Sequence, residues 1–185
     1  GADKYVKGAA PSALARRCEG EFVNLTELMG LKGPKFLKFG IGYPWSKIEK
    51  VKDQKLKGHY EYILSAVQKG MANSHPDVDL KTCSLHEFFD FVLSVDHTIL
   101  WDGKVIGFDI TMNPYALENK VNKTHEAYRG TKIKLMREFG YQGYIIILWS
   151  VKDYKNADKE CLKSQLLKGL SEWRPKEFTH IIHIK

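Results

Sequence analysis

The Asp-Gly pair at Asp102-Gly103 restricts the fold of this chain more than any other sequence feature, because it separates two strand-like stretches. Residues 95–101 and 105–112 are rich in β-branched and aromatic side chains, and an Asp-Gly pair between such stretches is typical of a two-residue hairpin turn. Counting back from this turn along both strands places Asp96 opposite Asp109. The sequence therefore predicts a β-hairpin on which two aspartates face each other.

Two carboxylates in this arrangement need an explanation, because like charges directly opposite each other destabilise a hairpin. A divalent cation between Asp96 and Asp109 would offset the repulsion, and carboxylate oxygens are ligands that suit Mg²⁺ or Mn²⁺. The alternative is that both side chains face solvent on an exposed sheet. We favour the metal site, since aspartate is depleted from strand interiors.

Strand alternation gives the second strand one apolar face and one face that carries the acid. The apolar face holds Ile106, Phe108 and Ile110, and the other face holds Gly107, Asp109 and Thr111. In the predicted register Gly107 lies opposite Thr98. The small size of these two residues predicts open space beside the acids.

The rest of the chain alternates between helical and strand-like periodicity, which indicates an α/β protein. Hydrophobic spacing predicts helices at 9–30, 60–72, 84–93, 115–139 and 157–170, and strands at 144–149 and 179–184. A further helix could begin near Ser46. The 185 residues fit a single domain over 1–185. A lysine-rich helical insertion is expected at about 34–83.

Charge and cysteine content restrict the partners and the compartment. The 29 Lys and Arg residues against 22 Asp and Glu give a net charge of +7, which favours polyanions. The longest apolar stretch, 144–149, is too short to span a bilayer, so no membrane partner is expected. Three scattered cysteines and the lack of an apolar leader predict a cytoplasmic or other reducing compartment rather than secretion.

A dense group of basic residues lies within the expected insertion. This lysine cluster consists of Lys47, Lys50, Lys52, Lys55 and Lys57, and Tyr43, Trp45 and Tyr60 are close to it in sequence. Such a mixture suits phosphate contacts and base stacking in a nucleic-acid complex. It is equally compatible with the solvated face of a helix.

The order of these features resembles the PD-(D/E)XK nuclease superfamily. The resemblance covers residues 9–30 and 92–150. Asp96 matches the first acid of the motif and Asp109 the second. Thr111 stands where the family usually has the lysine that orients the attacking water. The resemblance implies a central mixed β-sheet flanked by helices, with a restriction-endonuclease-like αβββαβ core.

The resemblance also implies roles for particular residues. Asp96, Asp109 and the carbonyl of Ile110 would hold Mg²⁺ or Mn²⁺, and an acid of the first helix, Glu19 or preferably Glu21, would complete the shell. With Thr111 at the lysine position, the following helix would supply the lysine. Lys123 is the preferred candidate, and its neighbour Lys120 would contact nucleic acid.

The function implied by this resemblance is that of a metal-dependent endonuclease acting on nucleic acid, with DNA favoured over RNA. Many members of the superfamily act as homodimers, which makes a homodimer an expected partner. Two alternatives stay open. The displaced lysine is also found in RNA endonucleases of the cap-snatching type, and Thr111 would fit a protein that binds nucleic acid without cutting it.

Overall fold

A computed structural model describes residues 12–33, 40–111, 129–149 and 158–185. Six helices and four strands lie in these ranges. The helices are α1 Ser12–Leu28, α2 Tyr43–Glu49, α3 Gln54–Met71, α4 Leu85–Phe91, α5 Arg129–Glu138 and α6 Lys159–Glu172. The strands are β1 His97–Trp101, β2 Lys104–Thr111, β3 Gly143–Trp149 and β4 Thr179–Ile184. The predicted α/β class is confirmed.

The four strands form one open mixed sheet in the order β1-β2-β3-β4. β1 and β2 are antiparallel, whereas β2 with β3 and β3 with β4 are parallel. Beyond the β1 edge, Lys32 forms an isolated antiparallel bridge with Ile99, and the N–H of Leu100 donates to the carbonyl of Leu31 at 3.1 Å. The segment after α1 thus contributes a minimal extra strand to the sheet.

The hairpin turn has the geometry that its Asp-Gly pair predicts. Asp102 and Gly103 have φ values of 49° and 73°, and two consecutive positive φ values are the signature of a type I′ turn. Trp101 lies opposite Lys104, and the predicted register continues to His97 opposite Phe108.

The start of β1 differs from the prediction. β1 begins at His97 and not at residue 95, so Asp96 precedes the ladder instead of pairing within it. The cause is local, since Ser94 has a φ of 56°, a left-handed conformation that interrupts an extended strand. The N–H of Asp96 still donates to the carbonyl of Phe108 at 2.7 Å, which holds Asp96 against β2.

The two faces of the sheet are covered by different helices. The face that carries Phe108 and Ile147 packs against α1 and α6, and we call it the apolar face. The opposite face packs against α2, α3, α4 and α5 around Tyr144 and Ile146. We call it the insertion face, because α2 and α3 lie within the predicted insertion.

Capping side chains mark the starts of α3, α4 and α6. The predicted capping box of α4 is present, with Ser84 and Glu87 each accepting a hydrogen bond from the backbone of the other. α3 begins at Gln54 rather than 60, because Asp53 accepts from the first free backbone N–H groups. α2 begins at Tyr43, ahead of the predicted Ser46. No helix in the described ranges has the length and apolar character needed to cross a membrane.

Candidate active site

The structure brings the two predicted acids together at the carboxyl end of β2. Asp109 points to the insertion face and is only 2% exposed. Asp96 is half-buried, and its Oδ2 accepts a hydrogen bond from the N–H of Ile110 at 3.0 Å. The carboxyl groups of Asp96 and Asp109 are close enough to hydrogen-bond to each other. We call these two side chains the acid pair.

The proximity of the two carboxyl groups changes how Asp96 ionises. The pKa of Asp96 is raised to about 8. Burial is the largest cause, followed by the negative charge of Asp109 and the hydrogen bond between the two groups. The N–H of Ile110 acts in the opposite direction, because it stabilises the carboxylate. Near neutral pH the acid pair therefore retains a proton.

Tyr144 of β3 contacts the acid pair, and sequence reasoning did not single it out. Its hydroxyl lies 2.9 Å from Asp109 Oδ2 and 3.1 Å from the carbonyl oxygen of Ser94, so its single proton is shared between these two acceptors. Burial and the charge of Asp109 raise its pKa well above the ordinary value, so the phenol stays a proton donor. The available signal was a lone polar residue at the start of an otherwise aliphatic strand.

Lys132 of α5 is a second residue that sequence reasoning passed over as a site candidate. Its side chain is 6% exposed, and its Nζ lies 5.8 Å from the centroid of the Tyr144 ring. Lys132 has helical spacing with the buried residues Leu135, Met136 and Phe139, which places it on the inward side of α5. The helical spacing of Lys132 with these apolar residues could be read from the sequence.

Lys123, the preferred catalytic lysine, and Lys120, the expected nucleic-acid contact, lie outside the described residues. Thr111 is buried at the end of β2 on the insertion face. The side chain of Ile110 lies in the core of the apolar face. Its backbone N–H points to Asp96, whereas the predicted role used its carbonyl.

The two acids of α1 are placed differently relative to the acid pair. Glu19 is half-buried and its negative charge contributes to the raised pKa of Asp96. Glu21, which the sequence favoured, is exposed, and its charge raises the pKa of the buried Cys18 thiol. Within the described ranges, no three His, Cys, Asp or Glu side chains form a cluster that could hold a metal ion.

The prediction of open space beside the acids is wrong. Gly107 does lie opposite Thr98, but a Cβ at Gly107 would come within 3.0 Å of Val95 and 3.2 Å of Tyr141. Thr98 Oγ1 is also hydrogen-bonded to the Tyr141 hydroxyl at 2.7 Å. The small residues are needed here because other side chains pack closely over them.

The lysine cluster of the insertion is only partly exposed. Lys50, Lys52 and Lys55 are exposed in the α2–α3 connection and the first turn of α3, whereas Lys47 and Lys57 are half-buried. Lys47 lies over the ring of Phe139, with Nζ 6.0 Å from its centroid. Tyr60 is fully buried in the core of the insertion face, so it is not a base-stacking residue as the sequence suggested.

We compared the chain with models of known protein families, with curated proteins and with solved structures, and found no match in any of the three.

Proposed function

We propose that this chain is a metal-dependent endonuclease that hydrolyses phosphodiester bonds, with a site similar to that of the PD-(D/E)XK superfamily. The observation that carries the proposal is that the half-buried carboxyl group of Asp96 and the buried carboxyl group of Asp109 meet at the end of β2, where the Ile110 N–H and the Tyr144 hydroxyl hold them. Bringing two carboxyl groups together away from water costs free energy. Such an arrangement at the end of a strand is typical of a functional site rather than of a stabilising contact.

The acid pair fits a hard divalent cation. Its described oxygens come from carboxylates, which suit Mg²⁺ or Mn²⁺. Asp96 and Asp109 would hold the ion, and the phosphate of the substrate and water would complete its shell. When bound, such an ion lowers the pKa of a coordinated water and neutralises charge that develops on the scissile phosphate.

The neighbouring residues have separate tasks in this proposal. The Ile110 N–H orients the carboxylate of Asp96, and the Tyr144 hydroxyl orients that of Asp109. Lys132 takes the place of the motif lysine that Thr111 does not supply, and its ammonium group would stabilise negative charge on the phosphate. Lys123 remains the alternative for this role.

The topology supports the same assignment. The chain passes from α1 through the bridge at Lys32 to β1 and β2, and then through α5 to β3. Under this proposal the order is interpreted as αβββαβ, with α2, α3 and α4 inserted before β1. In this interpretation the isolated bridge at Lys32 occupies the position of the first strand of that core.

Nucleic acid is the proposed substrate, and DNA is favoured over RNA. The net charge of +7 supports a polyanionic substrate. An RNA endonuclease of the cap-snatching type is the second candidate, and a lysine on the helix after the hairpin, as at Lys132, favours it. A catalytically inactive binding protein is the third candidate, because Thr111 replaces the usual lysine.

Cleavage assays with a matched acid-to-amide series test the proposal. We expect Mn²⁺-dependent cleavage of plasmid DNA or single-stranded RNA by the wild-type protein. Asp109→Asn should reduce the rate by about 1,000-fold, because the loss of a metal ligand removes several kcal/mol of transition-state stabilisation. Asp102→Asn is the control, since it removes an exposed acid from the same hairpin and asparagine also suits the turn. Equal cleavage by both variants would refute the assigned site.

A further inference from the structure

A cavity of about 380 Å³ opens on the insertion face next to Ser94 and Lys132. Its walls are mainly apolar and come from α3 and the end of α4, with Ile63, Val67 and Phe91 among them. Ser94 and Lys132 are the polar residues of its described lining. The volume falls within the range of roughly 300–1,000 Å³ that is typical of small-molecule sites.

The side chain of Tyr144 connects the lining of the cavity with Asp109. The carbonyl of Ser94 lies 3.1 Å from the Tyr144 hydroxyl, and Lys132 Nζ lies over the Tyr144 ring. The same hydroxyl donates to Asp109 Oδ2. Tyr144 therefore lies between the cavity and the acid pair. A ligand in the cavity and a phosphate at the acid pair would be neighbours.

The chemistry of the lining selects a ligand with an apolar, flat part and a negative charge. The side chains of Ile63, Val67 and Phe91 suit a ring that is removed from water, and the ammonium group of Lys132 complements a phosphate. A nucleotide combines both parts. The apolar walls offer few groups that could distinguish one base from another, so base identity would matter little.

We propose that this cavity holds one nucleobase of the strand whose phosphate lies at the acid pair. The inference rests on the proposed function and extends it to a class of substrate. A base that enters a side cavity must be unstacked and unpaired, which favours single-stranded nucleic acid or an unpaired position within a duplex. The protein then cuts next to an unpaired nucleotide.

Two glycines of α3 provide a matched pair of variants. Gly70 lines the cavity, whereas Gly58 lies three turns earlier in the same helix and is not in its described lining. Both residues are exposed, and a Cβ at either position meets no atom within 4 Å. Gly70→Leu should therefore fill part of the cavity, and Gly58→Leu should leave it open. Both substitutions favour the helix, so both variants should fold.

The test uses single-stranded DNA of about a dozen nucleotides, and RNA of the same sequence, in which one abasic residue is moved along the strand. With Mn²⁺ we expect one abasic position next to the cut to slow wild-type cleavage about tenfold, since that base no longer fills the cavity. Gly70→Leu should slow cleavage of the intact strand to a similar degree and should be insensitive to the abasic position. Gly58→Leu should behave as wild type.

A second readout separates failure of the cavity from failure of the nuclease. Affinity for the same strand is measured by fluorescence anisotropy with EDTA present, so that no cleavage is needed. If the wild type never cuts but Gly70→Leu alone weakens binding, the cavity assignment stands and the proposed function falls. If the wild type cuts and neither Gly70→Leu nor any abasic position matters, the cavity assignment is overturned. Equal affinity of all three proteins, with no cleavage, overturns it as well.

Discussion

The two faces of the sheet have very different chemistry. The apolar face buries isoleucine, phenylalanine and tryptophan side chains against α1 and α6. The insertion face carries Asp109 and Thr111 and is covered by the helix of Lys132, and these are three of the four buried polar or charged residues in the described ranges. Burying such groups costs free energy unless they are paired. Both faces bury a hydrophobic core, and the insertion face differs because it also buries these polar and charged groups.

Phe22 gives the largest expected effect, on the apolar face. It is 1% exposed and makes an edge-to-face contact with Trp149 at a centroid distance of 4.9 Å. Phe22→Ala should lower the free energy of unfolding by about 3–5 kcal/mol, because it leaves a cavity in the core. Urea denaturation measures this loss. A decrease below about 1 kcal/mol would show that α1 contributes little to the stability of the sheet.

Lys132 gives the next largest effect, and here activity should change more than stability. Lys132→Gln should reduce cleavage about 100-fold, because the proposed site loses a positive charge near the scissile phosphate. Lys134→Gln is the control, since Lys134 is exposed two residues further along α5, and we expect less than about a twofold change. Cleavage assays combined with thermal unfolding check both variants. If both lose activity equally, Lys132 has no special role.

A further expected effect is a slope in the pH dependence of stability, measured with EDTA present. Asp96 ionises near 3.8 in the unfolded chain but has a pKa of about 8 in the folded protein. The folded state therefore binds the proton of Asp96 more tightly than the unfolded chain does. The stabilisation that results from this difference is fully present below about pH 4. Stability falls as the pH rises toward 8, by at most about 1.4 kcal/mol per pH unit.

Asp96→Asn isolates this contribution from that of other carboxyl groups. The variant should lose the downward slope between pH 4 and pH 8, because its amide does not titrate. Asp102→Asn should keep the slope, since Asp102 is exposed at the turn. Urea denaturation at a series of pH values gives both slopes. Parallel curves for wild type and Asp96→Asn would contradict the desolvated position of the Asp96 carboxyl group beside Asp109.

The sequence predicted the hairpin well because its determinants are local. The turn residues fix the register, and the capping box and the periodic apolar residues fix the helices. The position of Asp96 before β1 was not predictable in the same way. It depends on the left-handed conformation of Ser94, for which serine carries no strong signal.

The candidate site was predicted only in part, because half of it depends on tertiary packing. Asp96 and Asp109 come from one hairpin, so counting from the turn was enough to bring them together. Tyr144 reaches Asp109 only through the parallel pairing of β2 with β3. Lys132 reaches Tyr144 only through the docking of α5 on the insertion face. The sequence indicates which side of its own element each residue occupies, but not which residue it contacts across the fold.

Titration calorimetry with Mn²⁺ tests the central claim of a metal site at the acid pair most directly. We predict that the wild-type protein binds Mn²⁺ and that Asp102→Asn binds it with the same affinity. Asp109→Asn should abolish the binding, because the amide removes one of the two carboxylate ligands. Mn²⁺ binding that is equal in all three proteins, or absent from all three, would contradict the assignment of Asp96 and Asp109 as a metal site.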